Sequence, residues 1–333
     1  MKLVSKFLRH VFKARSWRRL FSHLAAIPSR YLIARKLSEQ KRKRAVRQYN
    51  QNPRVSGIMQ FFNKKQNISM LWRGLVAANF DEVILLDDGS VDGSSSVWIP
   101  RLELPNHFLI RSNDLFEIVT YDRALHFSRA EIVCLLQDDD QMPADRAWID
   151  RALSLFEEFP DLLILGGFRA VDVLPREEGT VADEMVLEVN GDQESVAGLF
   201  RHRTIEFPID RSPSGVSDFC FVMSVVRAPV FIRRREFLDL GGFDLNFSPF
   251  LCDDIDNSLR AWRAGYKVGL FSVDFQRDLG LGGMRAFNGE RMVTQVRANW
   301  EKVYQKHGEV IKSGEIAAMV DSANQVLMQR VDL

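Results

Sequence analysis

Cysteine is scarce in this chain: three in 333 residues, and Cys134, Cys220 and Cys252 fall at no metal-ligand spacing. That argues against a disulfide framework or a structural zinc site and suits a reducing compartment. Long apolar runs are absent as well. A bilayer crossing needs about 20 apolar residues, and the longest stretch before Pro28, Leu24-Ala25-Ala26-Ile27, is too short even for a signal-peptide core. No Pro- or Ser-rich linker, internal repeat or low-complexity tract divides the chain, so one large catalytic domain with terminal extensions is expected. Acids are nearly missing from residues 1–48, where fifteen Lys and Arg face only Glu39, for a net charge of +14. The other residues carry −13, which the overall +1 conceals.

Within that basic segment Leu3, Val4, Phe7, Leu8, Val11 and Phe12 follow helical spacing, while Lys2, Lys6, Arg9 and Lys13 take the other face. A basic amphipathic helix with aromatics on its apolar side suits an anionic membrane surface. Packing on the catalytic domain and an organelle-targeting presequence are the competing readings. Nucleic acid is not the expected partner, because Lys41-Arg42-Lys43-Arg44 has no interleaved stacking aromatics and the remaining chain is acidic.

The densest chemistry is Asp138-Asp139-Asp140, directly after the apolar run Ile132 to Leu136 and Gln137. Five apolar residues bounded by polar ones read as a buried strand. Three acids at its end form either a solvated turn or, with a cation to relieve their repulsion, a ligand site at the rim of a parallel sheet. A second acidic strand end occurs earlier, where Val83 to Leu86 runs into Asp87-Asp88-Gly89-Ser90. Before it, Ile68, Leu71, Trp72, Leu75 and Val76 predict a helix opened by Asn67 or Ser69, and Val55 to Phe62 predicts another strand. Strand, helix, strand, with acids at the carboxyl ends, is the opening of an open α/β sheet.

At these residues the chain resembles the family 2 inverting glycosyltransferases. Gln60-Phe61-Phe62-Asn63 is similar to the family's Pro-Thr-Tyr-Asn strand end, and Asp87 to Ser94 matches its Asp-Asp-Gly-Ser-x-Asp-Gly-Ser. Asp138-Asp139-Asp140 with Pro143 resembles its Asp-x-Asp segment. Gly241-Gly242-Phe243-Asp244 is similar to its acceptor-side Gly-Gly-Phe-Asp. Cys252-Asp253-Asp254-Ile255-Asp256, with Arg260 and Gly265-Tyr266, resembles the segment carrying the catalytic base. The likeness runs from about residue 54 to 275.

The resemblance implies a GT-A fold: an open mixed α/β sheet flanked by helices, with a Rossmann-like nucleotide-binding half and an acceptor half. The expected division is a basic extension (1–50), the transferase domain (51–285, divided at 143/144) and C-terminal helices (286–333). The resemblance further implies transfer of a sugar from a nucleotide-sugar donor, UDP being the commonest nucleotide, to a hydroxyl of a glycan or lipid-linked acceptor. Asp254 is implied as general base and Asp253 as an acceptor contact. Phe62, Asp88 and Asp138 are implied around the nucleotide, and Asp138 and Asp140 around a Mg²⁺ or Mn²⁺ ion. Asp139 is expected to point elsewhere if the segment stays extended. From the residues alone, Asp254 also reads as a first-turn helix acid, Phe62 as core and Asp88 as a turn former.

The chain departs from the family pattern in two respects. No His lies between His202 and His307, so Asp278 or Gln276 stands in for the family's further metal ligand, or the ion takes fewer protein ligands. Asp253 replaces the usual Glu. The Gln-x-x-Arg-Trp of processive synthases is missing, which points to adding one or a few sugars. The acid-rich stretch 171–215 reads as a variable acceptor-side insertion. Peripheral attachment to the cytoplasmic face of a membrane is the expected location. A non-catalytic adaptor on the same fold is the rival from another class. A sugar nucleotidyltransferase is a further rival, disfavoured because Gln60 to Lys65 has no glycine.

Overall fold

The computed structural model describes residues 52–167, 169–175, 185–189, 192–196, 201–206, 218–275 and 289–331. The basic segment and Asp278 therefore lie outside the described residues. The strands are β1 (Val55–Phe61), β2 (Glu82–Asp87), β3 (His107–Arg111), β4 (Ile132–Leu136), β5 (Leu162–Gly166), β6 (Arg169–Leu174), β7 (Met185–Val189), β8 (Asp192–Val196), β9 (Arg201–Glu206), β10 (Phe219–Phe221), β11 (Val225–Val226), β12 (Val230–Arg233) and β13 (Lys267–Phe271). The α-helices are α1 (Ile68–Ala78), α2 (Ser94–Trp98), α3 (Phe116–Phe127), α4 (Ala147–Glu158), α5 (Arg234–Asp239), α6 (Asp253–Arg263), α7 (Gly289–Lys312) and α8 (Glu315–Val331).

Eight strands form one sheet in the order β10-β13-β5-β12-β4-β1-β2-β3. β1 to β4 run parallel, β12 is inserted antiparallel between β4 and β5, and β13 runs parallel to β5. This is the expected open mixed sheet of GT-A type. β1, β2 and β4 are buried along nearly their whole length and mostly apolar, which is how strands buried on both faces of a parallel sheet read in sequence. Gly57 in β1 is required by close packing: a Cβ there would lie 2.7 Å from the Phe80 ring. The register sets Phe61 beside Asp87 and Met59 beside Leu136, so the residues just after β1, β2 and β4 emerge on one rim.

The helix expected after β1 forms, with two differences. Val76 is 56% exposed, because the buried stripe runs through Ile68, Leu71, Gly74, Leu75 and Ala78 instead. Asn67 makes no side-chain cap; its Nδ2 donates to the carbonyl oxygen of Asp138 (2.8 Å), which turns the side chain toward the acidic turn. The two C-terminal helices also form as expected, burying Val296, Trp300 and Val303 from α7 and Ile316, Val320 and Leu327 from α8. α8 closes the sheet edge at β10: Asn324 accepts from the Phe221 amide (2.8 Å) and donates to its carbonyl (2.9 Å). Among the described residues no helix is long and apolar enough to cross a membrane.

Candidate active site

The loops after β1 and β2 are tied together before any ligand is considered. Asn63 donates its amide to Ser90 Oγ and accepts from the Val91 amide, both at 2.9 Å, and the Lys65 amide donates to Asp92 Oδ2 at 2.9 Å. Asp87 is fully buried and accepts from the Ser90 amide (2.7 Å) and from Ser95, with Arg111 3.2 Å away. It serves the turn, which Gly89 completes at φ +95°.

The Asp88 carboxylate is held by donors from β1 and from the loop after β3. Gln60 (3.0 Å), Ser112 (2.7 Å) and the amides of Leu115 (2.9 Å) and Phe116 (2.8 Å) all donate to its carboxylate. A carboxylate offers about four lone-pair positions, and these donors fill them. Asp88 therefore anchors the β3–α3 loop and orients Gln60.

Gln60, Phe62, Lys64, Glu117, Tyr121, Asp138, Asp139 and Phe250 are among the residues lining a cavity of ≈ 160 Å³ at the carboxyl ends of β1 and β4. Asp138 and Asp139 lie in a turn rather than an extended segment. The turn brings Asp139 to the cavity, whereas Asp140 is only 3% exposed and is not part of the cavity wall. Of the two acids expected around a metal ion, Asp138 lines the cavity and Asp140 lies beneath it. Asp138 Oδ2 accepts from the Phe62 amide (3.2 Å), and its Oδ1 lies 3.8 Å from Lys64 Nζ. Burial, with the charges of Asp139 and Glu117 adding to it and Lys64 opposing, pushes the Asp138 carboxyl up to about 7.

Among the described residues no three of His, Cys, Asp and Glu gather as a ready-made cation site. Two adjacent carboxylates on a cavity nevertheless fit a hard divalent ion, which commonly takes one or two carboxylates and completes its shell with substrate phosphates and water.

Asp253 and Asp254 open α6, as both readings of that segment required. Asp254 keeps a side chain that is 20% exposed. Asp253, the expected acceptor contact, is buried and turned to Arg227, Oδ2 to Nη2 2.7 Å. Arg227 is the residue sequence reasoning missed. Its amide donates to Asp254 Oδ2 (3.1 Å), its Nη2 lies 3.7 Å from Asp254 Oδ1 and 4.0 Å from Glu117, and its guanidinium stacks 4.9 Å from the Tyr121 ring centroid. Burial works against its charge, and Asp253, Asp254 and Glu117 outweigh that and raise its pKa. Arg227 thereby links the cavity wall to the start of α6, 26 to 27 residues further along the chain.

Behind the site, fully buried Asp256 is surrounded by His307 Nε2 (2.8 Å), Lys306 Nζ (2.6 Å) and Arg260 Nε (2.9 Å). Burial alone raises its pKa, but the hydrogen bond from His307 and the charges of Arg260 and Lys306 prevail and hold it at about 2. Arg260 also donates to the carbonyls of Leu240 (3.0 Å) and Gly242 (2.5 Å), fixing the Gly-Gly-Phe-Asp turn to α6. Asn299 of α7 donates to the carbonyls of Phe247 (2.9 Å), Phe250 (2.8 Å) and Leu251 (3.0 Å), which sets the loop presenting Phe250 to the cavity.

Residues 56–232 match the family described as Glycosyl transferase family 2, more than half of the chain. The chain belongs to this family. The family 2 match ends before α6, so Asp254 lies beyond it. No curated protein matches the sequence. Similar solved structures include the mannosyltransferase PcManGT from Pyrobaculum calidifontis, in complex with GDP-Man and Mn²⁺ (16% identity, TM-score 0.43, covering 73% of this chain and 64% of that one). They also include S. aureus TarS 1-349 in complex with UDP (15% identity, TM-score 0.41, covering 66% and 61%). The chain thus spans less than two thirds of either protein's length, and similarity this distant bears on neither donor nor acceptor.

Proposed function

We propose that this family 2 protein is an inverting transferase that moves a sugar from a nucleotide-sugar donor, a UDP-sugar first among the candidates, to a hydroxyl of a glycan or lipid-linked acceptor. The observation that carries the reading is the convergence on one rim of Phe62, Asp138 and Asp139 around a cavity whose wall is joined through Arg227 to Asp254. Phe62 offers a stacking face to the nucleotide base. Asp138 and Asp139 would hold a Mg²⁺ or Mn²⁺ ion, which when bound supplies positive charge to the departing diphosphate. Asp254, partly exposed and with its Oδ2 held by the Arg227 amide, accepts the proton of the acceptor hydroxyl as that oxygen attacks the anomeric carbon. Direct in-line attack inverts the anomeric configuration. Asp253 keeps the guanidinium in place and does not meet the acceptor.

The test is release of nucleoside diphosphate from a panel of UDP-, GDP-, dTDP- and CMP-sugars, the last releasing the monophosphate, with Mn²⁺ and a mixture of glycan and lipid-linked acceptors. Asp254→Asn is expected to bind nucleotide like the parent and to lose turnover by roughly a hundredfold or more, the scale of general-base catalysis. Full turnover in that variant places the base elsewhere. The basic segment 1–48 is proposed to dock on the anionic cytoplasmic face of a membrane. Cosedimentation with phosphatidylserine-containing vesicles, and loss of it in a chain lacking those residues, tests that part.

A further inference from the structure

We propose that Lys64 is a protein-borne cation for the donor's diphosphate, so that nucleotide binding in this chain does not rest on a divalent ion alone. The inference rests on reading the cavity as a nucleotide-sugar site and adds a residue to it. Among the described residues Lys64 is the only Lys or Arg lining the cavity, where Asp138, Asp139 and Glu117 also lie. Its side chain is buried, with Nζ 3.8 Å from Asp138 Oδ1. That places a positive charge on the cavity beside the carboxylate proposed to hold the metal.

The neighbours of Lys64 hold it there. Asn63 is bonded to Ser90 and Val91, the Lys65 amide to Asp92, and Asn67 to the Asp138 carbonyl. The backbone on both sides is therefore tied to the β2 loop and to the acidic turn. A charge fixed in this way needs no reorganisation when an anion arrives, and a lysine ammonium serves phosphate as a compact point charge. Among the described residues no histidine lines the cavity, and His307 is engaged with Asp256 on α6. The ammonium thus supplies, from the β1 loop, positive charge that the expected downstream histidine does not bring.

Titration calorimetry with UDP and with GDP, each in Mn²⁺ and in EDTA, tests this on the full chain and on Lys64→Met and Lys64→Arg. The parent is expected to keep measurable, weaker binding of one nucleotide in EDTA. Lys64→Met should weaken that residual binding by roughly tenfold or more, the scale of a hydrogen bond to a charged group, and Lys64→Arg should restore most of it. Methionine keeps the length and apolar stem of lysine, and the melting temperature of each variant reports its fold. The inference is overturned if the folded Lys64→Met protein binds in EDTA as the parent does, or if the parent binds with Mn²⁺ but not in EDTA. Binding of neither nucleotide under either condition instead removes the nucleotide-site reading, and this inference with it.

Discussion

Asp138 is subject to two opposing demands. Its carboxyl is pushed up to about 7 by burial and by Asp139 and Glu117, so below that pH a proton competes with a cation for it. A carboxyl raised above its ordinary 3.8 contributes stability that is present in full below about pH 4 and is lost as the pH rises through 7. Asp138→Asn should therefore melt above the parent at pH 8, by about 2–4 °C per kcal/mol of relieved strain, with the gap closing toward pH 4. The same variant should lose Mn²⁺-dependent nucleotide binding. Calorimetric scans at pH 8 and 4.5 check the first outcome and titration with UDP or GDP the second. Asp88 gives the opposite lesson. The Asp87 to Ser94 motif was legible in sequence, yet only the arrival of Ser112, Leu115 and Phe116 from a distant loop shows that Asp88 is occupied.

The first turn of α6 carries three acids whose surroundings differ. Asp254 is presented to the site, whereas Asp256 faces inward to His307, Lys306 and Arg260 and is held at about 2. A lowered carboxylate pKa contributes stability present above about pH 4 and lost as the pH falls through 2. Asp256→Asn should cost about 1.5–3 kcal/mol at pH 7, because the buried carboxylate loses its charge-assisted bonds to Arg260, Lys306 and His307. Urea denaturation checks the loss, and its difference from the parent should narrow as the pH falls from 4 toward 2. Arg227→Met should likewise destabilise by about 3–5 kcal/mol by stranding Asp253 in the interior; adding Asp253→Asn should recover much of that, a double-variant cycle read in urea. The acidic first turn was legible from sequence. The partner of Asp253 was not, because Arg227 precedes it by 26 residues in an apolar stretch with no motif of its own.

Across the whole molecule, the C-terminal helices that sequence reasoning left without a catalytic role brace the site and close the sheet. α7 supplies Asn299 to the loop bearing Phe250, and α8 supplies Asn324 to the β10 edge. Ending the chain after Gly314 should bare that edge together with the apolar strip that Ile316, Val320 and Leu327 cover. Unpaired strand edges recruit other chains, so light scattering is expected to show self-association of the shortened protein. The sequence by itself determined the order of strands and helices around the nucleotide half and which acids stand at strand ends. Those properties follow from local apolar periodicity and from the parallel arrangement it imposes. Only the tertiary structure decided which acids face the cavity. The Asp138–Asp139 turn, the burial of Asp140, the saturation of Asp88 and the pairing of Asp253 with Arg227 depend on contacts between segments remote in the chain. A carboxylate's role there is set by the donors and charges that packing brings to it.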